Sequence, residues 1–212
     1  MIYYVIPARE GSKGFPHKNR KLFDYTAKEL FNVNEKNVIV TTNDQFIIKK
    51  AEQYRFNVLR RSEELSNDTA APKDVLLDVV DKFDIKEDDI IVMLYLTYPD
   101  RTYNDIQKVI KFFENIESKS VLCKVNPKTH PYLCLLDVGD DKGRQLIKHD
   151  FYRRQDYPEM FQIVHYVFCA YAGEIKNLNN NLYNDDTDFF NIVTKINDID
   201  YPDDFMEFEE GK

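Results

Sequence analysis

Between Arg9 and Lys21 the sequence sets five basic residues, Arg9, Lys13, Lys18, Arg20 and Lys21, against a single acid, Glu10. The whole chain of 212 residues carries 29 basic and 37 acidic residues, a net charge of −8. The segment is thus a local cationic spot in an acidic protein. Gly11 and Gly14 let the backbone turn and present N–H groups, and Ser12 adds a hydroxyl. A glycine-bearing turn with several cations suits a polyphosphate, whose charge is spread over many oxygens. It is not a Walker loop, because Gly14 is followed by Phe15 rather than Lys, and it lacks the G-x-G-x-x-G dinucleotide fingerprint. On residue types alone, a solvated turn with scattered lysines remains the alternative.

The elements around this turn must place it. Ile2–Ile6 is an apolar run of strand length directly before it. Residues 37–41 (NVIVT), Val58–Leu59, residues 89–96 (DIIVMLYL) and, more weakly, residues 119–125 (KSVLCKV) read the same way, as strands covered on both faces. Helical periods lie between them. Asn43 can cap a helix whose stripe is Ile47, Ala51 and Tyr54. Pro72 can open one that buries Val75, Leu76, Val79, Val80 and Phe83, and Thr102 can cap one that buries Ile106, Val109, Ile110 and Phe113. This alternation predicts an α/β fold with a mostly parallel sheet flanked by helices. Ligands of such sheets bind beyond the carboxyl ends of the strands. That puts the loops after Ile6, Leu59 and Leu96 together.

The pattern changes at about 126–161. Leu133–Val138 and Arg144–Lys148 flank the turn signal Gly139-Asp140-Asp141-Lys142-Gly143, which predicts a hairpin inserted into a single domain spanning 1–212. Strands are expected near Ile163–Tyr171 and Phe190–Lys195, with an Asn-rich loop at Asn177–Asn184 between them and an acidic amphipathic tail after them. The acidic balance argues against a nucleic-acid binder. Cys123, Cys134 and Cys169 have neither metal nor redox spacing and read as free thiols in a reducing compartment. No apolar run approaches the roughly 18–20 residues of a membrane span, and the first residues are too short for a signal sequence. The expected location is the cytoplasm, with no membrane partner.

The first loop resembles the signature of the acylneuraminate (CMP-sialic acid) cytidylyltransferase family, I-P-A-R-x-G-S-K-G-x-P-x-K-N. All its specified positions are present as Ile6, Pro7, Ala8, Arg9, Gly11, Ser12, Lys13, Gly14, Pro16, Lys18 and Asn19. Residues 38–44 (VIVTTND) are similar to the family's V-I-V-S-T-D-D, and residues 61–70 (RSEELSNDTA) to its R-P-x-E-L-A-x-D-T-A. The resemblance implies a Rossmann-like fold and transfer of CMP from CTP to the anomeric hydroxyl of an acidic sugar. Arg9, Lys13 and Lys18 would stabilise charge on departing pyrophosphate. Ala8, Gly11, Ser12, Gly14, Asn19, Arg61, Asp68, Thr69 and Ala70 would complete the nucleotide site. For Arg61 taken alone, the alternative is an ion pair with Glu63 or Glu64.

Near the end of the chain, Asp198-Ile199-Asp200 and Asp204-Phe205 resemble the family's D-I-D-x-x-x-D-F. In extended chain Asp198 and Asp200 share a face and can hold Mg²⁺ through oxygen, the alternative being an ordinary acidic tail. Family members are usually homodimers whose insertion, here a hairpin for dimerisation, reaches the neighbour's acceptor site. Arg153-Arg154-Gln155 keeps the family's R-R-Q, which implies acceptor contacts for Arg154 and Gln155.

The chain departs from the pattern mainly on the acceptor side. Spacing between Asn19 and Phe23 is short. L-Q-P-T-S-P-L-R becomes residues 94–101 (LYLTYPDR), with Tyr95 and Tyr98 in place of a glutamine and a serine and Thr97 kept. R-P-N-G-A becomes Gln162–Tyr166, and the lysine after His130-Pro131 is missing. Tyr95, Thr97 and His165 are therefore the expected acceptor contacts, with a packed core histidine as the other reading of His165. His17 and His149 read as exposed loop residues without a role.

Overall fold

The computed structural model describes residues 1–211. The first half alternates strand and helix: β1 Ile2–Pro7, α1 Lys18–Glu29, β2 Val38–Thr42, α2 Gln45–Gln53, β3 Asn57–Arg60, the short α3 Glu63–Ser66, α4 Pro72–Lys82, β4 Ile90–Met93 and α5 Tyr103–Asn115. Then follow β5 Ser120–Val125, a hairpin of β6 Leu135–Asp137 and β7 Gly143–Gln145, β8 Gln162–Tyr171, β9 Asp188–Asn191 and α6 Pro202–Glu210. Seven strands form one sheet in the order β3-β2-β1-β4-β8-β5-β9. Only β8 runs antiparallel to its neighbours, β4 and β5. The sheet is thus mostly parallel and flanked by helices, as the alternation predicts.

Period-two burial splits the core in two. Tyr4, Ile6, Val38, Val40, Val92, Val167 and Cys169 face Leu22, Phe23, Ala27, Ile47 and the α5 stripe Ile106, Val109, Ile110 and Phe113. Val5, Ile39, Ile91, Met93, Phe168 and Ala170 face Leu76 and Val79 of α4, with Ile175, Leu178 and Leu182. Pro72 opens α4 and the Thr102–Asp105 capping box opens α5, both as expected.

Several expectations shift, each for a local reason. α2 is capped by Asp44, which accepts from the Phe46 N–H at 2.8 Å, while Asn43 Oδ1 accepts instead from the Glu10 N–H at 2.8 Å. β4 stops at Met93 rather than Leu96. Leu94 N–H still reaches the Val5 carbonyl at 2.9 Å, but the next bond would need an N–H from Pro7, which has none. Leu94–Leu96 therefore leave the ladder and become wall. β9 ends at Asn191 because its partner β5 ends at Val125. The hairpin strands are three residues each and exposed throughout. α1 begins at Lys18, so the short spacing after Asn19 puts the end of the signature inside its first turn.

His17 is exposed, in the left-handed region at φ 58°, just before that helix. His149 is not a free loop residue. It is half-buried, stacked 4.2 Å from the Tyr132 ring, with Nε2 2.9 Å from the Tyr132 carbonyl. Residues 126–161 leave the sheet between β5 and β8 and carry exposed Leu135, Leu136, Val138, Leu146 and Phe151. No helix among the described residues is long and apolar enough to cross a membrane.

Phe113 is 1% exposed and packs 5.1 Å from Tyr171, tying α5 to the antiparallel strand. Phe113→Ala should lower stability by about 3–5 kcal/mol in urea unfolding. A loss below about 1 kcal/mol would mean that α5 does not anchor the β4–β8–β5 half of the sheet.

Candidate active site

A cleft of about 410 Å³ opens at the carboxyl ends of β1, β3 and β4 and the start of β8. Pro7, Arg9, Ser12, Lys18 and Asn19 line it from the first loop, and Arg61, Leu65, Asn67 and Ala70 from the segment after β3. Tyr95, Thr97 and Tyr98 line it after β4, with His165 from β8, Asn181, and the pair Asp198 and Asp200.

The first loop is held from behind. Ala8 N–H bonds the Thr41 carbonyl at 3.0 Å, and Thr42 Oγ1 donates to the Ala8 carbonyl at 2.5 Å. Asn19 Nδ2 donates to the Arg9 carbonyl at 2.8 Å. Gly11 sits at φ 83°, where a side chain is strained. A Cβ on Gly14 would stand 3.2 Å from the Asp200 carbonyl, so glycine there lets the loop lie against the aspartate segment.

Each charge at the cleft has a partner. Arg9 and Lys13 both grip Asp68, at 2.7 Å and 2.5 Å, and the Lys13 hydrogen bond, then Arg9, hold its carboxyl below the usual carboxylate range. Lys18 Nζ is 2.7 Å from Asp200 Oδ1. Arg20 is spent on Glu10 and Asp44, at 2.6 Å and 2.7 Å, and Lys21 lies over the Phe15 and Phe205 rings. Of the five loop cations, then, Arg9 and Lys18 line the cleft, and Lys13 stands outside its lining, exposed and paired with Asp68.

Arg61 makes no hydrogen bond to Glu63 or Glu64. It is 9% exposed and donates to the Thr41 carbonyl at 3.0 Å, Thr41 Oγ1 at 3.3 Å and the Leu65 carbonyl at 3.4 Å. Burial, aided by Arg9, pulls its pKa down to about 10, so it stays charged at neutral pH. Two of its five N–H groups remain for a ligand.

Asp198 and Asp200 face the same cleft without belonging to a strand. Ile199 between them is 1% exposed, and its N–H bonds the Thr97 carbonyl at 2.8 Å, which turns both carboxylates outward. Tyr98 donates to Asp198 Oδ2 at 2.9 Å. Protein packed around the Asp198 carboxyl raises its pKa, against the pull of Tyr98 and Lys18. Two carboxylates beside a cationic loop form an all-oxygen donor set that fits a hard divalent cation completed by phosphate oxygens. Asp204 instead accepts from the Asp200 and Tyr201 N–H groups, at 2.8 Å and 2.7 Å, where α6 begins.

Other predicted residues fall outside the cleft. Asp68 stands at its rim on Arg9 and Lys13, and Thr69 turns its hydroxyl to Asn67 at 2.8 Å. Arg154 and Gln155 are exposed on the 126–161 insertion and do not line the cleft of their own chain. Gln162–Tyr166 opens β8 and runs into a register break against β5 after Val164; Val164 and Tyr166 are buried and only His165 meets the cleft. The sequence reading placed Tyr98 near the acceptor without its bond to Asp198, and gave no role to Arg101 or Asn181. Tyr98 gave a signal only as a departure from a motif. Buried Arg101 donates to the Tyr166 carbonyl at 2.6 Å and Thr26 Oγ1 at 3.0 Å, bracing α1 against β8. Asn181 lay in a stretch marked only by its composition.

A polyanion entering the cleft must take Arg9 and Lys13 from Asp68. Asp68→Asn is therefore expected to tighten binding of a nucleoside triphosphate a few-fold at low salt, read by calorimetry. Weaker binding would instead make Asp68 a direct ligand contact.

Comparison with known proteins agrees with this architecture. The family model described as cytidylyltransferase matches residues 3–167. The N-acylneuraminate cytidylyltransferase of Streptococcus agalactiae serotype III is 27% identical over 175 residues, 74% of this chain but 40% of that protein. This chain thus spans well under half of that relative's length. Post-translational flagellin modification protein B of Campylobacter coli is 28% identical over 173 residues, 76% of this chain and 74% of that protein. A solved CMP:2-keto-3-deoxy-manno-octonic acid synthetase, complexed with CTP, shares the fold at a TM-score of 0.70 and 14% identity, covering 99% of this chain and 97% of that one. With the family model matched from β1 into β8, around a loop, an arginine and a cleft built as described, the chain belongs to the cytidylyltransferase family.

Proposed function

We propose that the protein transfers CMP from CTP to the anomeric hydroxyl of an acidic sugar and releases pyrophosphate. The observation that carries this reading is the cleft itself. Arg9 and Lys18 line it together with the Asp198–Asp200 pair, Lys13 stands just outside beside Arg9, and carboxylates of the chain already hold all three cations. The curated relatives are named for acylneuraminate and flagellin-modification roles, which supports a nonulosonic acid or a relative as acceptor.

The sheet order gives the direction of the site. Arg61 follows β3 and reads the base or ribose with its two spare N–H groups. The loop after β1 holds the triphosphate. Tyr95, Thr97 and His165, on the β4 and β8 side, meet the acceptor. The acceptor hydroxyl oxygen attacks the α-phosphorus in line, the bond to the β-phosphate oxygen breaks, and the hydroxyl proton leaves to water. Positioning and charge neutralisation supply most of the rate in such transfers. Arg9, Lys13 and Lys18 take up charge on the departing pyrophosphate, with loop N–H groups beside them. Asp198 and Asp200 would hold Mg²⁺, which would supply positive charge for the phosphate oxygens and ease deprotonation of the hydroxyl. Tyr98 keeps Asp198 turned to the cleft.

Arg154 and Gln155 act from a second copy. The apolar residues exposed on the 126–161 insertion supply the surface for a homodimer, and the two side chains would then stand in the partner's cleft on the acceptor side.

The direct test is pyrophosphate release from CTP and Mg²⁺ with a panel of nonulosonic and octulosonic acids. Turnover with at least one acid is expected. Tight CTP binding without release from any of them would make the chain a non-catalytic nucleotide binder. Asp198→Asn and Asp200→Asn should each lower kcat at least about a hundredfold. Each should also weaken Mn²⁺ binding followed by electron paramagnetic resonance. Intact turnover in both variants would remove the metal from these aspartates.

A further inference from the structure

The Asn-rich stretch 177–184 is a built loop that reaches the cleft. Leu178 and Leu182 are 2% and 0% exposed and anchor it in the core behind α4. Asn179 closes it. Its Oδ1 accepts from the Asn181 N–H at 2.8 Å and the Tyr183 N–H at 3.3 Å, and its own N–H reaches the Tyr183 carbonyl at 2.9 Å. From the sheet, His165 Nε2 donates to the Asn181 carbonyl at 3.1 Å, and the His165 and Tyr95 rings pack perpendicular with centroids 5.5 Å apart. Both backbone polar groups of Asn181 are thus fixed. Asn181 is exposed and lines the cleft, and its side-chain amide makes no hydrogen bond to any described residue.

Its place is as informative as its rigidity. Arg61 and Ala70 mark the β3 side of the cleft, whereas Asn181 is tied to β8, on the side of Tyr95 and Thr97. We propose that Asn181 is a specificity-determining residue for the acceptor. Its carboxamide pairs with a neutral substituent that both donates and accepts hydrogen bonds, a hydroxyl or an acylamino group, beside the Tyr95–His165 wall. His165, which itself lines the acceptor side of the cleft, also positions Asn181 by holding its carbonyl. The inference rests on the acceptor reading of the previous subsection. A carboxamide offers one acceptor and two donors and no charge, so it discriminates between neutral substituents without adding to the repulsion or attraction of an acid.

The experiment takes the best acceptor of the acid panel and analogues in which single hydroxyl or acylamino groups are replaced by hydrogen. Pyrophosphate release is followed for the wild type, Asn181→Ala, His165→Gln and His165→Phe, and CTP binding by calorimetry. Asn181→Ala should raise the acceptor KM about tenfold, with kcat and CTP affinity unchanged. That defect should disappear for the one analogue that lacks the group Asn181 reads. His165→Phe, which removes the donor to the Asn181 carbonyl, should raise the acceptor KM at least as much as Asn181→Ala, and His165→Gln, which keeps a donor, should lose less than His165→Phe. An unchanged acceptor KM, an equal defect with every analogue, or a parallel loss of CTP affinity overturns the role of Asn181. A wild-type protein that turns over no acid brings down the parent reading and this one with it. Turnover in the wild type with no effect in Asn181→Ala brings down this one alone.

Discussion

Everything at the cleft depends on keeping like charges close together without the chain pulling away from them. Arg9, Lys13 and Lys18 gather near one loop, and Asp198 and Asp200 gather opposite. Each cluster alone is repulsive, and the chain answers by pairing across it. Asp68 bridges two cations, Asp200 takes the third, and the Tyr98 hydroxyl serves Asp198. A site built in this way pairs its loop cations internally, and a bound polyanion would have to offer those cations the same partners in exchange. Affinity is then a difference between two sets of ion pairs rather than the sum of new ones, which ties it to ionic strength.

The backbone makes the exchange possible. Pro7 ends the β1–β4 ladder because it lacks an N–H, and this frees both the loop that follows β1 and the Leu94–Leu96 wall. Gly14 lets that loop lie against the Asp200 carbonyl. α6 lies beneath, with Phe205 packed 5.7 Å from Phe15 and Phe208 5.5 Å from Tyr25. The aspartate pair is thus carried to the loop by the last helix of the described chain. Thr97 and Ile199 lock the distance between the β4 wall and the aspartate pair through a single backbone bond.

What the sequence made legible was local. The strand before the loop, the proline that opens α4, the capping box of α5 and the signature itself are each contained in a few consecutive residues. So is the outward turn of Asp198 and Asp200, although it comes from the burial of Ile199 and not from a strand ladder. What stayed hidden was pairing over long separations. Nothing near Arg9 or Lys13 in the sequence announces Asp68, and nothing near Tyr98 announces Asp198. Asn43 illustrates the limit. It has the right type and place for a helix cap, yet the next residue takes that role because Asn43 is needed on the Glu10 N–H. His165 and Asn181 lie apart in sequence and meet only because β8 runs against its neighbours.

The central claim is that the loop after β1 holds phosphates and not the nucleoside. Calorimetric titration of the wild type and Arg9→Ala with CTP and with cytidine tests it most directly. The account predicts that Arg9→Ala weakens CTP by about ten- to a hundredfold, as expected for a charge-assisted contact, and leaves cytidine unchanged. Equal losses for the two ligands would contradict it.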